Sequence, residues 1–110
     1  MNEKAEYCVV ATTFPDEETA RKVARGLLER RLAACAQTYP VRSEYWWKGE
    51  ICRATEVAAT FKTRMELYPE AEGYIRSAHP YETPEILALP VAAGLPAYLR
   101  WIGGETAIER

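Results

Sequence analysis

Residues 33–63 read AACAQTYPVRSEYWWKGEICRATEVAATFKT, and this stretch decides the fold. Residues 33–47 are rich in β-formers, and Lys48-Gly49 is a tight-turn signal. Residues 51–63 then resume the same extended pattern. A long hairpin is therefore expected, with a bulge or bend at Pro40, because proline cannot donate to the ladder. Its two strands, about 15 and 13 residues, far exceed the usual mode of roughly 5–6. At roughly 3.3 Å per residue such a hairpin approaches 45 Å, against a radius of gyration near 13 Å for a 100-residue globule. It must bend sharply or reach past its own domain. Trp46 and Trp47 are adjacent strand residues that point to opposite faces, so they cannot share one core.

On the N-terminal side, YCVVATTF (residues 7–14) is a short apolar run closed by Pro15, the mark of a buried strand. Asp16-Glu17-Glu18 supplies an N-cap and first-turn carboxylates. Ala20, Val23, Ala24, Leu27, Leu28 and Leu32 then follow at helical spacing. Beyond the hairpin, a second helix is expected over residues 66–78, with Pro69 tolerated in its first turn and Leu67, Ala71, Tyr74 and Ile75 as its apolar stripe. A two-proline loop, His79-Pro80-Tyr81-Glu82-Thr83-Pro84-Glu85, leads to a strand over 86–91. Pro96 opens a short helix that Gly103-Gly104 should stop. The order is β-α-β-β-α-β: an α+β, ferredoxin-like sandwich in one domain spanning 1–110, with two helices on one face of a four-stranded antiparallel sheet. Something else should cover the other face, and Tyr39, Tyr98 and Trp101 add to the aromatics without a home. The hairpin, with Tyr45, Trp46, Trp47 and Gly49 at its end, reads as an intersubunit arm.

Composition narrows the functional classes. With 48% apolar and 27% charged residues the 110-residue chain has ordinary globular composition. A net charge of −2 argues against binding nucleic acid through phosphate contacts. No stretch matches a membrane span of about 20 apolar residues, and the polar start at residues 1–6 does not resemble a signal peptide. Cys8, Cys35 and Cys52 are odd in number and form no CxxC pair, so a reducing cytoplasm is expected. No P-loop, nucleophile elbow, dinucleotide glycine turn or HExxH motif occurs, so no enzymatic activity is expected.

Ala33-Ala34-Cys35-Ala36, Ser43-x-Tyr45-x-Trp47-x-Gly49-x-Ile51, Glu56, Lys62-Thr63, His79-Pro80-Tyr81-Glu82-x-Pro84-Glu85-Ile86 and Tyr98-Leu99-x-Trp101-Ile102 together resemble the CutA family of divalent-cation tolerance proteins. The likeness spans roughly residues 7–102. It implies a ferredoxin-like fold in a tight homotrimer related in shape to PII signalling proteins. It also implies weak binding of Cu2+ and other divalent cations and a role in metal tolerance. Thr12 stands where some family members carry a cysteine, so a site using that thiol is not carried over.

His79, the only histidine, is the candidate nitrogen donor, with Glu82 beside it and Cys35 as a soft donor. Cys35 equally suits a buried apolar position, and His79 an ordinary loop histidine bonded to a carbonyl. Lys62, Tyr81, Glu85 and Trp101 are expected to line an intersubunit cleft able to hold an anionic metabolite, the basis of an alternative reading as a PII-like regulatory module. A hydrolase or lyase with His79 as base is the third reading.

Overall fold

The computed structural model describes residues 5–106, so the polar run at residues 1–4 lies outside the described residues. Strand β1 (Tyr7–Phe14) is followed by α1 (Glu17–Glu29), β2 (Cys35–Trp47), β3 (Glu50–Arg64), α2 (Tyr68–Ala78), β4 (Ile86–Pro90) and α3 (Pro96–Thr106). All pairings are antiparallel and the sheet order is β2-β3-β1-β4, the ferredoxin-like arrangement expected.

The strict alternation of buried and half-buried residues along β1 separates the faces of the sheet. Cys8, Val10, Thr12 and Phe14 lie on one side, in register with Thr63, Phe61, Ala59 and Val57 of β3. Against this side α1 sets Ala20, Val23, Ala24 and Leu27, and α2 sets Ala71 and Ile75, which together form the core. Helix α1 starts where Asp16 accepts a hydrogen bond from the Thr19 amide at 2.8 Å.

The opposite face carries Val9, Ala11 and Thr13 of β1, in register with Leu89 and Leu87 of β4 and with Lys62, Thr60 and Ala58 of β3. Helix α3 packs at one end of the sheet. Its buried Thr106 accepts from Arg64 Nε at 3.0 Å, and Arg64 Nη2 donates to the Thr106 carbonyl at 2.8 Å. Arg31, in left-handed backbone at φ 57°, donates to the Glu105 carbonyl at 3.1 Å. The rest of this face is incompletely covered, with Leu87 54%, Leu89 49% and Tyr39 47% exposed.

Three expectations need correction. Strand β2 runs through Pro40 without a bulge, the register holding at Pro40↔Val57; β2 is an edge strand, and an edge tolerates proline. Helix α3 does not stop at Gly103-Gly104 but continues to Thr106, because two arginines satisfy its last turn and Ile102 and Thr106 are buried beneath it. The second helix begins as a 3-10 turn, Met65–Leu67, before becoming α-helical at Tyr68.

Beyond Phe14↔Val57 no third strand pairs with the hairpin among the described residues, so its outer half is a two-stranded arm. Lys48 and Gly49 both take positive φ, 53° and 82°, the backbone of a two-residue type I′ turn whose twist matches the strands. Tyr45, Trp46, Trp47 and Ile51 remain 43%, 71%, 45% and 63% exposed. The described chain is 43 Å along its longest axis.

Candidate functional site

A cleft of about 900 Å³ opens where the hairpin leaves the sheet. The hairpin lines it with Arg42, Ser43, Glu44, Tyr45, Trp46 and Trp47, and the 79–85 loop lines it with Pro80, Tyr81, Glu82, Thr83 and Glu85. Thr13 and Glu56 also line it. Glu56, only 7% exposed, accepts a hydrogen bond from the Tyr81 hydroxyl at 2.7 Å. Burial first, and then the Glu56 carboxylate, push the Tyr81 phenol well above the usual tyrosine value.

The loop reaches this position because Pro80 holds His79 in extended backbone, φ −86° and ψ 136°, which ends α2. The imidazole stacks on Phe14 with centroids 4.6 Å apart. Its Nε2 lies 2.7 Å from the Thr13 carbonyl oxygen, and its Nδ1 accepts from the Tyr81 amide at 3.2 Å. Burial lowers the pKa of His79 from 6.5, against the opposing pull of the Thr13 carbonyl and Glu56.

The structure divides the residues singled out from sequence into two groups. Tyr81, Glu82 and Glu85 line the cleft together with the arm residues Tyr45, Trp46 and Trp47, and His79 anchors the same loop from behind. Lys62, Cys35 and Trp101 lie towards the other end of the sheet. Lys62 pairs in register with Cys35 and donates to Gln37. The Cys35 thiol lies beside Tyr98, which stacks on Trp101 with centroids 5.5 Å apart. Lys62 lies six positions along β3 from Glu56, roughly 20 Å at strand rise, so Lys62 and Tyr81 do not share a cleft within one chain.

The same division bears on metal. Both ring nitrogens of His79 are engaged, Cys35 is remote from Glu82, and no group of three or more His, Cys, Asp or Glu suited to an ion occurs among the described residues. Within one chain these residues do not fit a resident ion. Thr12 is 1% exposed and lies in register with Ala59 on the helix-covered face, away from the cleft. Sequence reading missed Arg42, Ser43, Glu44 and Glu56 as cleft residues. Ser43 and Glu56 gave a signal only as members of the family pattern, and Arg42 and Glu44 gave none.

Comparison with known proteins adds the family context. The model of the CutA1 divalent ion tolerance protein family matches residues 8–105. The divalent-cation tolerance protein CutA of Thermotoga maritima is 48% identical over 94 residues, covering 86% of this chain and 93% of that one. A CutA homolog of Xenopus laevis is 45% identical over 92 residues, 83% of this chain, which spans 61% of that relative's length. The solved structure of the periplasmic divalent cation tolerance protein CutA of Archaeoglobus fulgidus superposes with a TM-score of 0.89 at 39% identity, over 91% of this chain and 98% of that one. That periplasmic relative overturns the cytoplasmic expectation drawn from the odd cysteine count. Among the described residues no helix is long and apolar enough to cross a membrane.

Proposed function

Because the chain belongs to the CutA1 family of divalent ion tolerance proteins, we propose that it binds divalent cations, copper(II) foremost, as a non-enzymatic homotrimer. The family match supports the cation reading, and the observation that carries the assembly is the half-exposed face of the sheet, where Leu87, Leu89 and Tyr39 stand against water. Apolar area of this kind is stabilised by a partner surface at roughly 25 cal/mol per Å², and an obligate interface of more than roughly 2,000 Å² would cover it. In this reading the hairpin is the arm. Strands β2 and β4 are the open edges of the sheet, and Tyr45, Trp46 and Trp47 around Gly49 supply the anchoring aromatics.

Assembly would also bring the two ends of the sheet together. The Lys62–Trp101 end of one copy, set against the Tyr81–Glu85 end of the next, makes an intersubunit cleft. The same juxtaposition offers Cys35 and Glu82 to one ion as a thiolate and a carboxylate. A set so small holds copper weakly, and copper outranks zinc at it by the ordinary divalent order. The alternative is a PII-like regulatory module with a small-molecule ligand in those intersubunit clefts. It is favoured by the size of the cleft and its mixture of aromatic and charged walls.

Sedimentation of a micromolar sample tests assembly, since a stable folded monomer near 12.5 kDa removes the trimer. Calorimetry with Cu(II) and Zn(II) on the wild type, Glu82→Gln and Cys35→Ser tests the ion. Copper affinity unchanged in both variants sinks this donor set. Binding of a metabolite without binding of either metal favours the regulatory reading.

A further inference from the structure

His79 is the only histidine in the chain, and its two ring nitrogens face opposite kinds of partner. A carbonyl oxygen can only accept, so the Nε2 lying 2.7 Å from the Thr13 oxygen must carry the hydrogen. A backbone amide can only donate, so the Nδ1 lying 3.2 Å from the Tyr81 nitrogen must present its lone pair. These partners fix one neutral tautomer and use both nitrogens.

We infer that His79 is a positioning residue rather than a metal ligand: it pins the 79–85 loop to the end of β1 and so sets the Tyr81 hydroxyl against Glu56. An ion at Nδ1 must take the lone pair from the Tyr81 amide. An ion at Nε2 must displace its proton and strand the Thr13 carbonyl. Either route forfeits a bond that the loop needs.

The consequence runs through the loop. The stack on Phe14, itself 0% exposed, and the tilted contact with the Tyr81 ring at 4.9 Å brace the imidazole between its two partners. With the Tyr81 amide held, its hydroxyl reaches Glu56 at 2.7 Å. A carboxylate 7% exposed without that donor would bear a desolvation penalty, so the latch keeps a buried acid partnered at the cleft. The importance given to the cleft rests on the function proposed above; the tautomer and the latch do not.

Because there is one histidine, the imidazole ¹⁵N spectrum of the labelled full chain reports this ring alone. We expect a protonated Nε2 and a bare Nδ1, both unmoved by excess Zn(II). Amide hydrogen exchange supplies the second readout. His79→Ala should lower the protection of the Tyr81 amide by about tenfold, the equivalent of one ordinary hydrogen bond. His79→Asn, whose Oδ1 takes the place of Nδ1, should keep it. A hydrogen on Nδ1 in the wild type, a zinc-dependent shift of Nδ1, or wild-type protection in His79→Ala overturns the inference. Should the alanine variant not fold, the wild-type spectrum and the asparagine variant decide alone. If calorimetry finds no metal binding at all, the cation reading falls while these readouts still judge the latch.

Discussion

Gly26→Ala would reverse the ordinary sign of a helix substitution. Gly26 lies on the buried side of α1, where Tyr74 of α2 crosses it. A Cβ there would stand 1.8 Å from Tyr74 Oη and 2.5 Å from its Cζ, where ordinary contact begins at 3.4 Å. The ring must therefore shift, which disturbs its contact with the Arg30 guanidinium, 4.4 Å from its centroid. Overpacking costs roughly 1–3 kcal/mol, and the lost cation–π contact about 0.5–1 more. Alanine returns about 0.8–1.0 kcal/mol of helix propensity. The net is a loss of about 1.5 kcal/mol, with a fall in Tm of roughly 4–8 °C for each kcal/mol. With Tyr74→Ala in the background the obstruction is gone, and the same substitution should stabilise by about 0.8–1.0 kcal/mol. Urea and thermal melts of the four-member cycle, at one protomer concentration, measure both signs. A neutral or stabilising Gly26→Ala in the wild-type background would refute the close approach of the helices.

Burial holds the folded pKa of His79 below 6.5, so the unfolded chain takes up that proton first as pH falls. This contribution to stability is complete above about pH 6.5 and declines below it until the folded ring also protonates; melts between about pH 5 and 7.5 should show the decline in the wild type and not in His79→Asn. A Cβ at Gly49 would meet no atom within 4 Å, but Gly49→Val must hold φ near +82°, so backbone strain dominates its cost of roughly 1–3 kcal/mol. Sedimentation and circular dichroism should show assembly weakening before the secondary structure of the domain is lost. Cys8 is 0% exposed and burial pushes its thiol up to about 11, so native-state alkylation near pH 8 should spare it while modifying half-buried Cys35 and Cys52. Peptide mapping that finds Cys8 modified in folded protein would contradict this.

The elements were legible because their signals are local. The Asp16 cap, the apolar spacing from Ala20 to Leu27 and the Lys48-Gly49 turn each act within a few residues, and each appears in the fold where its chemistry requires it. Gly103 and Gly104 misled because helix propensity, worth about 1 kcal/mol per glycine, yields to Arg31 and Arg64 at the last turn of α3. Those arginines lie at least 40 positions away in the chain, and no local pattern announces them. The cleft was half visible for the same reason. The 79–85 loop declared itself through its two prolines, but the Thr13 carbonyl that claims the His79 ring is a backbone group 66 residues distant. Lys62 and Tyr81 were expected to line a cleft between subunits; strand rise along β3 separates them within one chain, so only contact between copies could join them.

In the proposed homotrimer, the opposite placement of the Lys62–Trp101 and Tyr81–Glu85 groups would have a genetic consequence. A contact that joins one end of a copy to the other end of the next is head-to-tail, so it must close into a ring to avoid growing without limit. Every member of such a ring then contributes a different half to each of two clefts. A chain damaged at Lys62 and another damaged at Tyr81 carry complementary lesions rather than a shared one. Co-expressed in equal amounts and mixed at random, they would rebuild about a quarter of the clefts with both halves intact. Two inactive alleles would thus partly restore each other, whereas two lesions at the same end would not.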